Sequence, residues 1–157
     1  MRLRVIAVGT RMPGWVDAAF EDYARRLSGS WKLELKALAP ASRKEAGGTA
    51  QRAKSAEARR ILALLGSRDV VVPLDEHGAQ FSTLELSGWL EERRAAGVDL
   101  AFIIGGPDGL GDEVLARGRW LWSLSRLTLP HALARVVLIE QLYRAASVLA
   151  GHPYHRS

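Results

Sequence analysis

Residues 99–111, DLAFIIGGPDGLG, place an apolar run directly before a glycine-rich turn. The run from Leu100 to Ile104 is rich in aromatic and β-branched residues, which is typical of a buried strand. The glycines that follow leave the backbone bare, so a ligand can approach it closely. Because ligands of open α/β sheets bind beyond the carboxyl ends of the strands, this stretch predicts a site at one edge of a sheet.

Strand and helix patterns alternate along the chain. Apolar or alternating runs predict strands at residues 2–8, 31–37, 69–74, 100–104 and 120–124. Helical spacing predicts helices between the breakers at 13 and 29, at 49–65, between 82 and 97, at 112–117 and at about 131–150. This order predicts a single α/β domain over residues 1–157, with a mostly parallel sheet and helices on both faces.

Several local patterns make finer predictions. Strict alternation over residues 31–37 predicts a half-exposed strand near a sheet edge. Residues 75–78 predict a turn, and Ser82 with Glu85 matches a capping box. In the first helix the apolar face is predicted to hold Trp15, Ala18, Ala19, Tyr23 and Leu27.

Charge is unevenly distributed. The net charge is +5, with +7 in residues 1–60 and −2 in residues 61–157. This basic half is the footprint expected of a nucleic-acid binder, and it is equally typical of a solubilising surface. The exposed cations Arg43 and Lys44 lie in a predicted loop at residues 38–48. Further cations that could contact phosphate lie on the next predicted helix: Arg52, Lys54, Arg59 and Arg60.

The composition excludes some classes of site. The chain has no cysteine, so disulfides and thiolate metal sites are excluded. No signal peptide and no run long enough to span a bilayer is evident, which predicts a cytoplasmic protein without a membrane partner.

Two loops are candidate binding segments. The GGPDGLG turn lacks the lysine of a phosphate loop, and no acidic residue follows on the next strand as a dinucleotide fingerprint requires. It is either a plain tight turn or a ligand-binding loop. Residues 124–130, LSRLTLP, combine bare backbone with leucines, which suits a purine-like ring. Two ordinary connections would look the same.

The C-terminal region carries the remaining chemistry. The last helix is apolar on nearly every side from Val136 to Ile139, which predicts a helix shared with a second subunit. Arg135, Glu140, Gln141 and Arg144 lie within this helix, and Glu140 and Arg144 have the spacing of an ion pair. The tail holds His152, Tyr154, His155 and Arg156, which is either disordered or a source of stacking, proton-accepting and phosphate-binding groups. No third ligand accompanies the two histidines, so no metal site is predicted.

Five stretches together resemble one known family. They are AVGTRMPGW at 7–15, IGGPDGL at 104–110, SLSRLTLPH at 123–131, RVVLIEQLYRA at 135–145 and HPYH at 152–155. The chain resembles the ribosomal RNA large subunit methyltransferase H family along essentially its whole length, and the C-terminal third is the most specific part.

The resemblance implies a SPOUT-type α/β fold with a C-terminal trefoil knot, and S-adenosylmethionine as the cofactor. Matching the motifs assigns cofactor binding, mostly through backbone, to Leu74, Gly105, Gly106, Leu124, Ser125, Arg126, Leu127, Thr128 and Leu129. It also implies a homodimer in which the tail of one subunit completes the pocket of the other. The implied reaction is methylation of N3 of a pseudouridine in helix 69 of 23S rRNA, on the assembled ribosome.

The hypothesis for the reaction assigns its catalytic groups to the C-terminal region. His155, or a water that it positions, would accept the proton, and Tyr154 would stack on or bond to the base. Arg144 and Arg156 would stabilise charge on the base carbonyls or bind phosphate. The main alternative is a non-catalytic RNA-binding or ribosome-associated module. An acetyl- or nucleotidyl-transferase ranks last, because the glycine turn has no phosphate-binding lysine.

Overall fold

The computed structural model describes residues 1–27, 29–42, 44 and 47–156. The strands are β1 (Arg2–Val8), β2 (Lys32–Leu38), β3 (Val70–Ala79) and β4 (Leu100–Ile104). The helices are α1 (Gly14–Arg26), α2 (Ala50–Ala63), α3 (Thr83–Ala95), α4 (Asp112–Arg117) and α5 (His131–Leu149), and a short 3-10 helix follows at Pro153–Arg156. Arg43, predicted to be an exposed cation, lies outside the described residues.

The strands form a parallel sheet in the order β2-β1-β4-β3. The edge position predicted for the second strand is confirmed, and β1 pairs with β4 through Leu3↔Leu100 and Ala7↔Ile104. Because all neighbours are parallel, the carboxyl ends of the strands meet at one edge of the sheet. The glycine-rich turn that follows β4 therefore lies at this edge.

Alternation along β1 and β4 builds two cores. Leu3, Val5 and Phe102 point to one face and pack with buried residues of α1, α3 and α5. Ile6 and Ile103 point to the other face and pack with α2 and α4. The predicted α/β class with helices on both faces is confirmed. The trefoil knot implied by the resemblance stays a prediction.

The turn predicted at residues 75–78 is wrong, because β3 continues to Ala79. The strand is extended by pairing with the segment after α4: the Ala79 amide donates to the Leu121 carbonyl at 2.9 Å, and the Ser123 amide donates to the Ala79 carbonyl at 2.9 Å. A Cβ on Gly78 would lie 2.6 Å from the Leu121 carbonyl carbon. Gly78 thus permits a close backbone approach instead of a turn.

The strand predicted at residues 120–124 is also wrong. Within this stretch only Trp122 forms β-bridges, to Leu74 and to Ala79. Trp122 is 3% exposed, and its ring centroid lies 6.0 Å from that of Phe102. Burial of the Trp122 side chain in the core explains why residues 120–124 are apolar although they do not form a fifth strand.

The apolar face predicted for α1 is wrong at Trp15 and at Ala18, both of which are exposed. Trp15 is 57% exposed, whereas Val16, Phe20 and Leu27 are buried. The predicted set advances in steps of four residues, and each such step overshoots a full helical turn by about 40°. The residues that stay on one face therefore begin at Val16, one position later.

The ends of the other helices agree well with the sequence patterns. The capping box is confirmed: the Glu85 amide donates to the Ser82 hydroxyl, and the Ser82 amide donates to the Glu85 carboxylate at 2.7 Å. Among the helices described, none is both long and apolar enough to cross a bilayer.

Candidate functional site

A cavity of about 690 Å³ lies beyond the carboxyl end of β4, beside the second half of β3. Three segments form its walls: residues 74–76 of β3, residues 104–110 from the end of β4 onward, and residues 122–125 and 127–131 together with Ala134 of α5. We call it the cofactor cavity, after the ligand that the sequence resemblance implies for the residues that line it. The topology of a parallel sheet brings these segments together although they are far apart in sequence.

Eight of the nine predicted cofactor residues line this cavity, namely Leu74, Gly105, Gly106, Leu124, Ser125, Leu127, Thr128 and Leu129. Arg126 is exposed and is not among the described residues that line it. The structure therefore unites the two candidate loops and the strand end in one place.

Two glycines allow the turn after β4 to close. The Gly109 amide donates to the Gly106 carbonyl at 3.0 Å, and Gly109 has a φ of 81°. A Cβ on Gly105 would lie 2.8 Å from the Gly109 carbonyl carbon. Gly105 and Gly109 are thus required for closure of the turn, which leaves its backbone facing the cavity.

The second loop is held by its own serines. The Ser123 hydroxyl donates to the Ser125 carbonyl at 2.9 Å, and the Leu127 amide donates to the Ser125 hydroxyl at 2.9 Å. These bonds fix the backbone between Trp122 and Leu127 without regular secondary structure. The Leu127 side chain is left 75% exposed.

The chemistry of the cavity suits a ligand with a flat apolar ring and a positive charge. Leu124 and Leu129 provide apolar surface, and the two loops provide backbone donors and acceptors. Three carboxylates also line the cavity: Asp75, Glu76 and Asp108. Asp75 and Glu76 were missed because they fall in the stretch predicted to be a turn.

A buried carboxyl lies behind the glycine turn. Glu57 of α2 is 8% exposed and accepts a hydrogen bond from the Ala41 amide at 3.0 Å. Burial raises the pKa of Glu57, and the charge of Asp108 raises it further, whereas the Ala41 amide and Arg60 oppose this shift. No sequence pattern distinguished Glu57 from the solvated charges of α2.

Arg135 connects the start of α5 to the end of β1. It is 2% exposed, and its guanidinium donates to the Gly9 carbonyl at 2.5 Å and to the Val8 carbonyl at 3.4 Å. Burial lowers its pKa, and the charge of Asp17 opposes this shift. A charge within this helix is expected to be paired or to line a site; Arg135 instead donates to backbone carbonyls in the protein interior.

A second group of polar side chains lies where the tail packs on α5. We call Tyr23, Glu140, Tyr143, Arg144 and Tyr154 the tail cluster. The Tyr154 hydroxyl lies 3.2 Å from Glu140 Oε1 and 3.3 Å from the Tyr23 hydroxyl. Arg144 donates to Glu140 Oε1 through Nε at 2.8 Å, and its guanidinium carbon lies 4.7 Å from the centre of the Tyr154 ring.

The ionisable groups of the tail cluster influence one another. Burial raises the pKa of Tyr154, and the hydrogen bond to Tyr23 and the charge of Glu140 raise it further. The hydrogen bond to Glu140 raises the pKa of Arg144. Tyr154 is therefore a neutral phenol and Arg144 a cation at neutral pH.

His155 has a defined hydrogen-bonding state. Its Nδ1 lies 2.5 Å from the His152 carbonyl oxygen, which can only accept, so Nδ1 carries the proton of the neutral ring. Nε2 then bears the lone pair. His155 lines a cavity of about 480 Å³ with Gln141 and Arg144. Arg156 ends the 3-10 helix and is exposed.

The cofactor cavity and the tail cluster are separated within one chain. Ala134 is the last described residue of α5 that lines the cavity, and Arg144 lies ten residues further along the helix, or about 15 Å. None of the four predicted catalytic residues lines the cofactor cavity. Among residues 1–27, 29–42, 44 and 47–156, no group of three or more His, Asp or Glu side chains is placed to hold a metal ion.

Comparisons with known proteins agree on one family. A family model described as "Predicted SPOUT methyltransferase" matches residues 1–155. The protein named ribosomal RNA large subunit methyltransferase H in Thiobacillus denitrificans is 53% identical over 156 residues, with 99% of each chain covered. The protein of the same name in Bordetella pertussis is 49% identical over 157 residues, with 100% of each chain covered.

Solved structures show the same fold at low identity. A probable methylase family protein from Haemophilus influenzae has a TM-score of 0.55 and 16% identity, over 97% of this chain and 69% of that chain. A putative methylase family protein from Neisseria gonorrhoeae has a TM-score of 0.51 and 13% identity, over 90% of this chain and 81% of that chain. Together with the sequence matches over nearly the whole length, these findings confirm the resemblance: the chain belongs to the ribosomal RNA large subunit methyltransferase H family of SPOUT methyltransferases.

Proposed function

We propose that this single-domain chain is a cytoplasmic, S-adenosylmethionine-dependent methyltransferase of large-subunit ribosomal RNA. Its proposed reaction is methylation of N3 of a pseudouridine in helix 69 of 23S rRNA, on the assembled ribosome. The observation that carries the proposal is the cofactor cavity, in which eight residues matched to the family motifs meet at the carboxyl edge of the sheet. The names of the relatives support ribosomal RNA as the substrate.

The residues of the cofactor cavity fit S-adenosylmethionine. A volume of about 690 Å³ is within the range of cavities that hold small cofactors. Leu124 and Leu129 would cover the faces of the adenine ring, and loop backbone would bond to its edge. Asp75, Glu76 and Asp108 would attract the positively charged sulfonium and ammonium groups.

A homodimer would bring the separated halves of the site together. Leu133, Val136 and Val137 of α5 are only partly buried in one chain, and Leu127 at the cavity mouth is 75% exposed. Burial of such apolar surface against a second copy is favourable. We propose that the tail of the second copy brings its catalytic groups to the mouth of the cofactor cavity and so completes the active site, because no described residue of the same chain's own tail lines that cavity.

His155 is the proposed proton acceptor. The cofactor supplies a methyl group that is already activated on a sulfonium, so the protein must align the base and remove one proton. Nε2 of His155 bears the lone pair, as the contact of Nδ1 with the His152 carbonyl requires. It would accept, directly or through a water, the proton that N3 of the base loses as the new bond to carbon forms.

The other tail residues would hold the base. Arg144 and Arg156 would stabilise negative charge on the base carbonyls or bind a phosphate, since a guanidinium stays charged at any physiological pH. Tyr154 would contact the base through its ring, because its hydroxyl already faces Glu140 and Tyr23.

Deletion of residues 152–157 tests the role of the tail. Calorimetry should show that the truncated protein binds S-adenosylmethionine as the full chain does. Mass spectrometry of 23S rRNA from treated ribosomes should show no methyl transfer. Normal turnover by the truncated protein would reject the tail mechanism. A full-length chain that binds ribosomes but takes up no S-adenosylmethionine would favour the non-catalytic RNA-binding module instead.

Mixing two inactive variants tests the shared site. The tail deletion lacks the proposed catalytic groups, and Ser125→Trp would fill the cofactor cavity. In a mixed dimer one of the two sites would be intact, so an equimolar mixture should recover about a quarter of the full activity. Circular dichroism and thermal unfolding would verify that both variants fold. A mixture as inactive as its components would contradict the shared site.

A further inference from the structure

The tail cluster includes a residue of α1 to which the proposed function gives no role. Tyr23 lies 131 positions before Tyr154 in the chain, and their hydroxyl oxygens are 3.3 Å apart. The Tyr154 hydroxyl also faces Glu140 Oε1 at 3.2 Å. Three elements, α1, α5 and the tail, therefore converge on a single phenol oxygen.

In both contacts the Tyr154 hydroxyl is the hydrogen-bond donor. A carboxylate can only accept, and the lone pairs of the Tyr23 hydroxyl oxygen accept as well. The single hydroxyl proton of Tyr154 is therefore directed between Glu140 Oε1 and the Tyr23 oxygen. Glu140 in turn is held by Arg144 at 2.7 Å. The position of Tyr154 is thus defined from two sides.

Tyr23 is well placed to act as a fixed reference for the tail. It lies on the same face of α1 as the buried Val16, Phe20 and Leu27, so its backbone is anchored in the core. Its ring lies near those of the cluster, 6.0 Å from Tyr143, and Arg26 lies 5.6 Å from its centre. A chain end without such an anchor would have wide freedom of movement.

We propose that Tyr23 is a positioning residue for methyl transfer, which holds the Tyr154 hydroxyl and thereby sets the direction in which the tail presents His155. This inference rests on the proposed function. His155 directly follows Tyr154 in a 3-10 helix of four residues, so a shift of Tyr154 displaces the imidazole. Efficient proton transfer needs a hydrogen-bond distance, and a small displacement of the acceptor therefore slows the reaction.

Tyr23→Phe removes the hydroxyl and keeps the ring. On ribosomes with labelled S-adenosylmethionine we expect kcat to fall about fivefold to tenfold, as for the loss of one hydrogen bond in the transition state. The KM for ribosomes and the Kd for S-adenosylmethionine should change less than about twofold. A purely structural role would instead lower the melting temperature and leave kcat unchanged in the folded fraction.

Tyr143→Phe is the matched control. Its ring lies in the same cluster, 4.6 Å from that of Tyr154, but its hydroxyl makes no hydrogen bond to another residue in the described part of the chain. We expect kcat of this variant to stay within about twofold of the full value. An equal loss of kcat in both variants would contradict a specific role of the Tyr23 hydroxyl.

A double-mutant cycle with Tyr154→Phe separates this inference from the proposed function. If Tyr23 acts through the Tyr154 hydroxyl, Tyr23→Phe should have no further effect on kcat in the Tyr154→Phe background. Independent, multiplying effects would overturn the inference. An unaltered chain without methyltransferase activity would overturn the proposed function itself, whereas an active chain with a fully active Tyr23→Phe variant would overturn only the role of Tyr23.

Discussion

The cofactor cavity is built mainly from backbone groups, whereas the tail cluster is built from polar side chains. The cavity presents mainly loop backbone and leucine side chains, held by the Gly105–Gly109 turn and by the Ser125 hydroxyl. The tail cluster presents side-chain groups, held by the ion pair of Glu140 with Arg144 and by the Tyr154 hydroxyl. The cavity therefore depends on the path of the backbone, whereas the tail cluster depends on the side chains that bond to one another, namely Tyr23, Glu140, Arg144 and Tyr154. Substitutions in the two regions should therefore affect different steps.

The largest effect is expected in the tail cluster. Arg144→Lys keeps the positive charge but loses the planar fork that bonds Glu140 and the Tyr154 carbonyl. Methyl transfer to ribosomes should fall about 100-fold at saturating S-adenosylmethionine, the size typical for loss of a group that stabilises transition-state charge. The Kd for S-adenosylmethionine, measured by calorimetry, should stay within about twofold. A parallel loss of cofactor affinity would show that the two regions are not separable in this way.

Substitutions in the cavity should have a smaller effect, and they should change the Kd for S-adenosylmethionine instead of the rate of methyl transfer. Gly105→Ala would place a Cβ 2.8 Å from the Gly109 carbonyl carbon, so the turn must move. We expect about tenfold weaker binding of S-adenosylmethionine and little change in turnover once the cofactor saturates the protein. Gly88→Ala in α3 is the control, because no atom lies within 4 Å of its added Cβ, and it should leave the cofactor Kd unchanged. Equal Kd values for both variants would contradict a backbone-built cavity.

The sequence predicts the cavity better than the tail cluster. A run such as Leu100–Ile104 followed by glycines marks the end of a strand, and parallel topology brings such ends together. Local patterns also identify the capping box at Ser82 and the edge strand at residues 31–37. These features depend on short-range periodicity, which a single sequence contains.

What the sequence misses depends on long-range contacts. Gly78 suggests a turn, but its role depends on the Leu121 backbone, which approaches it from a distant part of the chain. In the sequence, Tyr23 is recognisable only as one apolar position with helical spacing. Its contact with the Tyr154 hydroxyl results from the packing of α1 against α5. Glu57 looks like any charge on a basic helix, although it is buried behind the glycine turn.

The burial of Glu57 behind the glycine turn predicts a pH dependence of folding stability at moderately acidic pH. Its raised pKa means that the folded state keeps the proton at pH values just above 4.5, where the unfolded chain has lost it. Stability therefore falls as the pH rises through this interval, and below it Glu57 contributes no pH dependence. Glu57→Gln should reduce the fall, measured as the free energy of unfolding in urea at a series of pH values. A variant with the same slope as the unaltered chain would show that Glu57 does not titrate in this interval.

The smallest effect is expected at Arg126, which the sequence motif includes but the cavity lining does not. Arg126→Ala keeps the loop backbone and removes an exposed side chain, so the Kd for S-adenosylmethionine should change less than about twofold. Leu129→Ala removes apolar surface from the cavity wall and should weaken binding about tenfold. Calorimetry on the two variants compares a motif position outside the cavity with one inside it. A larger loss of affinity for Arg126→Ala would mean that a side chain, and not backbone alone, holds the cofactor in this loop.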